Sequence, residues 1–188
     1  LQSDLCWFGE EHKLGELAPI AGTEPHSTQV WATYDNNYLY FFFKCQEPNV
    51  DRLAKQTPQT AVWMSDCVEI FFNPAKKYTS YYLMVANARG ATTGYQFVIR
   101  DQKVKSASLE PQLWDTKAET AVNTTSDAWT CEVKVPWEQL ELKPKPGEAL
   151  FFNARRFRFA GGQQGIYSWS PGQSSAHEVE AFGILILK

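Results

Sequence analysis

Apolar and polar residues alternate with a period of two along most of this chain, in short runs broken by Gly, Pro, Asn and Asp. That period sends successive side chains to opposite faces, so each run predicts a β-strand. Residues 28–34 set Thr28, Val30, Ala32 and Tyr34 against Gln29, Trp31 and Thr33. Asp35-Asn36-Asn37 predicts a turn, because these side chains bond their own backbone and tolerate left-handed conformations. Residues 38–45 complete a hairpin and are apolar on both faces, which predicts a central strand in a sheet covered on both sides. Strands are further predicted over 67–73, 78–87 and 94–99, and over 117–122 and 129–135 as a second hairpin. Residues 150–159, 166–170 and 183–187 close the series. Residues 1–27, 46–62 and 100–116 read as irregular, and 136–140 as one helical turn led by Pro136. About ten short strands with almost no helix predict a single all-β domain over residues 1–188, an antiparallel β-sandwich of jelly-roll-like form.

Within this pattern the stretch from Trp63 to Phe72 stands out. Period two puts Glu69 on the face opposite Val68, Ile70 and Phe72. A carboxylate in so apolar a strand is costly unless it is solvated or hydrogen-bonded. Two readings stay open. Trp63 is core and Glu69 lies on a wet face, or the two form an indole platform beside an anionic acceptor, which suits a polyhydroxylated ligand.

Charge and composition narrow the partners. The net charge is -3, and the densest basic cluster, Arg155, Arg156 and Arg158, alternates with Phe157 and Phe159 rather than forming a stripe. This argues against a nucleic-acid surface. No apolar run approaches the roughly 18 residues of a membrane helix. The chain starts at Leu1 without a signal sequence, so any such leader has been removed or was never present. Cys6, Cys45, Cys67 and Cys131 follow no metal-binding spacing, and the last three sit in apolar strands, as buried thiols or as disulfide partners. Seven Trp, eight Tyr and twelve Phe exceed what strands alone need and leave rings for a binding face.

Catalytic chemistry finds little support. Asp66 and Glu69 are three apart in a strand, face opposite ways, and cannot form the carboxylate pair of a glycosidase. Glu178 and Glu180 would share a face at roughly 7 Å if extended, but read as a solvated loop pair. His12, His26 and His177 fall in no HExxH frame and are expected as isolated surface histidines. Ser168-Trp169-Ser170 is not a nucleophile elbow.

The order of short motifs resembles the family 9 carbohydrate-binding modules, β-sandwich sugar binders attached to xylanases and related glycosidases. The resemblance rests on Tyr34-Asp35-Asn36-Asn37-Tyr38-Leu39-Tyr40, Asp66-Cys67-Val68-Glu69-Ile70-Phe71, Tyr81-Tyr82 with Asn87 to Gly90, and Trp129 to Trp137. Phe152-Asn153 with Arg156, Ser168-Trp169-Ser170-Pro171 and the closing Phe182-Gly183 continue it across residues 28–188. It implies non-catalytic binding of a mono-, oligo- or polysaccharide, of β-glucan or xylan type, by a secreted (extracellular or periplasmic) module tethered to a catalytic domain. In such modules two tryptophans sandwich a sugar ring. The first falls on Trp63, and a hydroxyl-binding glutamate falls on Glu69. The second, about six residues before Phe182, falls on Ala176, so one wall is missing or is supplied by another ring. Losing one stacking face forfeits about 1–3 kcal/mol on the scale of base–aromatic stacking. Gln173 aligns with a polar contact, the family's arginine position falls near Leu83, and His177 or Arg156 are candidates to replace lost contacts.

Family sandwiches often carry structural calcium; none is required here, and its candidate ligands Asp35, Asp51 and Asp66 read first as turn formers and caps. Two alternatives from other classes stand beside sugar binding. A related sandwich binds haem through axial ligands such as methionine, for which Met64 and Met84 are available, Met84 in a core position. The other is an interaction module whose sugar site has decayed. Asn123-Thr124-Thr125 fits the N-glycosylation triplet.

Overall fold

The computed structural model describes residues 10–20, 23–53, 59–99, 109–162, 164–170 and 177–188. Among these, thirteen strands form two antiparallel sheets that pack as a sandwich, and no α-helix occurs. The strands are β1 (Lys13–Glu16), β2 (Ala18–Pro19), β3 (Thr28–Tyr34), β4 (Tyr38–Gln46), β5 (Cys67–Asn73), β6 (Ser80–Asn87) and β7 (Thr92–Ile99). After them come β8 (Leu109–Leu113), β9 (Glu119–Thr124), β10 (Ala128–Pro136), β11 (Ala149–Arg158), β12 (Gly165–Ser168) and β13 (Gly183–Ile186). The five-stranded sheet runs β1-β3-β4-β10-β9. The eight-stranded sheet runs β2-β12-β11-β5-β6-β7-β8, with β13 paired to the first half of β11 and β12 to its second half.

Alternation sets the layers. In β4, Leu39, Phe41, Phe43 and Cys45 are buried between the sheets, while Tyr38, Tyr40 and Phe42 lie half-buried on the other face. The Phe41 ring stacks on Phe152 of the opposite sheet with centroids 5.3 Å apart and planes 2° from parallel. The β3–β4 turn closes as its residues dictate. Asp35 Oδ1 accepts the backbone N–H groups of Asn37 and Tyr38 at 2.7 and 2.8 Å, and Oδ2 accepts the Tyr40 hydroxyl at 2.8 Å.

Two stretches that read as irregular hold strands. β1 and β2 lie within residues 1–27, and β8 within 100–116. All three are short sheet-edge pieces that carry no alternation of their own. β8 contains Pro111, which an edge tolerates because one row of backbone groups needs no partner. Residues 137–140 form a single 3-10 turn, with Pro136 extended at the position just before it.

One end of the interior holds a charged cluster. Glu47 Oε2 accepts from Arg158 Nε at 2.6 Å and Arg156 Nη2 at 3.1 Å, and Oε1 accepts from Arg158 Nη2 at 2.9 Å. Arg156 also donates to Thr28 Oγ1 at 3.0 Å and lies over the Tyr167 ring. Arg156 is fully buried. Burial alone would raise the Glu47 carboxyl, but bonds from Arg158 and the Asn49 N–H, with both guanidinium charges, hold it below the usual range. Its stabilising contribution is therefore present above the unfolded carboxyl pKa and lost as pH falls through the lower folded value. Glu47→Ala leaves two buried guanidinium groups without their carboxylate and should cost about 3–5 kcal/mol in urea unfolding at pH 7. A loss below 1 kcal/mol would show that water compensates these charges.

Candidate functional site

The outer face of the eight-stranded sheet carries a second apolar cluster, separate from the sandwich core. The register fixes its rows. Arg155, Glu69, Val85 and Thr93 lie side by side across β11, β5, β6 and β7, and Asn153, Phe71, Leu83 and Tyr95 form the next row. Val62, Cys67, Tyr81, Phe97, Val179 and Phe182 complete the cluster. Two segments supply the cover. Residues 59–66 lead into β5, and residues 177–182 pack against Phe71 ahead of β13.

Trp63 is held at the rim of this face. Its neighbour Val62 is fully buried, and Ser65 Oγ donates to the Val62 carbonyl at 2.9 Å. The indole meets the Tyr95 ring edge-on, with centroids 5.8 Å apart, and stays 41% exposed. The core reading of Trp63 is thereby set aside. Glu69 is the reverse case: instead of a wet face it occupies a site only 7% exposed. Tyr95 lies two strands away from Glu69, about 10 Å at the usual strand spacing.

Glu69 and Arg155 are direct cross-strand neighbours yet form no closed ion pair, and Glu69 Oε2 and Arg155 Nε, both buried, have no hydrogen-bond partner among the described residues. Burial pushes the Glu69 carboxyl up to about 7 against the pull of the Arg155 charge. Burial likewise lowers Arg155, offset by the charges of Glu69 and Glu178. Across the face, His177 packs its ring 4.9 Å from Phe97 and 6.2 Å from Phe71 (centroid to centroid), and its Nδ1 shares a hydrogen bond with the Tyr81 hydroxyl. Burial, with Arg155 nearby, lowers His177 to about 4, so the ring is neutral at pH 7. His177 is thus part of the aromatic face rather than an isolated surface histidine.

Of the residues expected from the sequence, Trp63, Glu69 and His177 come together here. Arg156 does not. It points into the sandwich, because inward alternation through Leu150, Phe152 and Ala154 carries it to the core, where Nη1 donates to Thr28 and Nη2 to Glu47. The same alternation sends Arg155 outward, a signal present in the sequence. Leu83 is a buried member of the outer cluster, opposite Phe71. Gln173 and Ala176 lie outside the described residues. The closing Phe182-Gly183 has a steric cause: Phe182 packs 5.5 Å from Phe71, and a Cβ on Gly183 would come within 2.5 Å of the Trp169 ring.

The calcium candidates are scattered. Asp35 clasps its turn, Asp51 is exposed, and Asp66 Oδ1 accepts the N–H groups of Phe159 and Ala160 at 3.1 and 3.3 Å. Among the described residues no three acidic, His or Cys side chains gather where a metal could sit, so these aspartates do not fit a shared ion. For haem, Met84 is fully buried in the core and Met64 is 68% exposed, so they share no pocket. Cys45, Cys67 and Cys131 are buried free thiols. Two open hollows of about 620 and 640 Å³ flank the Asp35–Asn37 turn, away from Trp63 and Glu69.

In fold the chain is similar to a family 9 carbohydrate binding module from Caldicellulosiruptor kristjanssonii solved with glucose (15% identity, TM-score 0.71, 98% of this chain and 87% of that one). The module solved with cellotriose gives 16% identity and a TM-score of 0.72, covering 98% and 86%. A protein from Bacteroides uniformis is similar at 14% identity and a TM-score of 0.74, over 93% and 85%. No curated protein sequence matches the chain. The family model described as "carbohydrate family 9 binding domain-like" matches residues 4–188, and the chain belongs to that family.

Proposed function

We propose that this chain binds a neutral sugar on the outer face of its eight-stranded sheet, with Trp63 as stacking platform and Glu69 and Arg155 as hydroxyl contacts. The observation that carries this reading is that the cross-strand neighbours Glu69 and Arg155 bury Oε2 and Nε, each without a hydrogen-bond partner among the described residues. Leaving such groups unsatisfied costs about 1–3 kcal/mol each. One is an acceptor and the other a donor, on adjacent strands. A sugar hydroxyl both donates and accepts, and it satisfies the two together. Trp63, at the rim of the same face against Tyr95 and two strands away from Glu69, offers an indole face for the apolar side of a sugar ring. Relatives of the same fold solved with glucose and cellotriose support the ligand class.

The module performs no reaction in this reading. It raises the local concentration of a tethered catalytic domain on a β-glucan or xylan-type polysaccharide, outside the cytoplasm. His177, packed against Phe97 and Phe71, adds an aromatic ring to the same face, and Trp63 is the stacking wall of this reading.

Titration of tryptophan fluorescence with glucose, cellobiose and xylobiose should give a saturable change. Trp63→Ala should abolish it while altering stability by no more than about 0.5 kcal/mol, as expected of an exposed side chain. Loss of folding in that variant would return Trp63 to the core. Arg155→Met should weaken binding about ten- to hundredfold, the loss of one charged hydrogen bond. A flat response from folded wild-type protein would assign this face to something other than sugar.

A further inference from the structure

We propose that occupation of this face is coupled to release of a proton from Glu69, so that the module grips its ligand at neutral pH and lets go as the medium acidifies. The inference rests on the sugar-binding reading above.

Its basis is geometric. Glu69 is buried on a strand that has no solvent-facing side, its Oε2 is unsatisfied, and the cation beside it is close enough to attract but not paired. Such a carboxyl, with no donor to its charged form, holds its proton in the empty site. A ligand changes both conditions. A sugar hydroxyl donating to Oε2 favours the carboxylate. A hydroxyl that bridges Glu69 to Arg155 also couples the carboxylate to that charge at a site already shielded from water.

The groups around Glu69 isolate the effect. Arg155 faces it from β11 and stays charged. On its own strand, Cys67 is buried with its thiol pushed well up, and on β6 the Tyr81 hydroxyl is raised by burial and by Glu69. From the returning segment Glu178 acts on Arg155, and His177, lowered by burial and by the Arg155 charge, stays neutral down to about pH 4. Glu69, held near 7 in the empty site, is the group of this set poised to change charge between pH 5 and 8.

The sign follows from linkage. If the bound state favours the carboxylate, binding releases protons near pH 7 and affinity falls as pH drops below the free value of about 7. Calorimetry with cellobiose at pH 7, repeated in buffers of different ionisation enthalpy, should show release of about half a proton per site, with affinity falling toward tenfold per unit below that pH. Glu69→Gln should bind more weakly, with no proton exchange and a flat profile from pH 5 to 8. Binding with no net exchange, uptake instead of release, or release that persists in Glu69→Gln would overturn the inference. Should Glu69→Gln fail to fold, the sign of the wild-type exchange decides. Absence of binding at every pH would instead strike at the sugar-binding reading itself.

Discussion

Every side chain of β5 is buried, and that constraint organises the molecule. Val68, Ile70 and Phe72 enter the core between the sheets, while Cys67 and Phe71 enter a second cluster on the outer face. A strand with two dry faces needs cover on both, so residues 59–66 and 177–182 are drawn across the outer side. Glu69 shares that dry side. A carboxylate there is costly to ionise, and the neighbouring Arg155 offsets only part of the cost, as the raised carboxyl records. The fold thus holds an acceptor and a donor in place without satisfying either.

The two arginines at 155 and 156 show how one strand divides its work. Arg156 closes an interior cluster with Glu47 and Arg158 and ties the β4–β5 crossover to β11. Arg155, one residue earlier, emerges on the opposite face beside Glu69. Asp66 fixes the same region from the other side by holding the backbone after β11. The outer face is consequently placed by strands that are fixed from both sides.

Much of this was legible from pattern. The alternation in residues 28–34, 38–45 and 67–73 gives strands whose bounds match the structure to within a residue, and it puts Glu69 opposite Val68 and Ile70. Whether Glu69 was wet or dry was not legible, because the cover comes from distant segments. β1, β2 and β8 escaped notice because they owe their form to a neighbour's edge rather than to their own sequence. Arg155 was readable by counting alternation from Phe152, yet motif likeness favoured Arg156. His177 looked isolated because its aromatic neighbours, Phe71, Tyr81 and Phe97, lie far away in sequence.

The most direct test is nuclear magnetic resonance mapping of the side-chain N–H signals during addition of cellobiose. The indole signal of Trp63 and the Nε–H signal of Arg155 should shift together and saturate together, while the Trp31 and Trp137 indoles on the five-stranded side stay fixed. Saturable shifts confined to Trp31 or Trp137, with Trp63 and Arg155 unmoved, would place the ligand elsewhere and contradict the account.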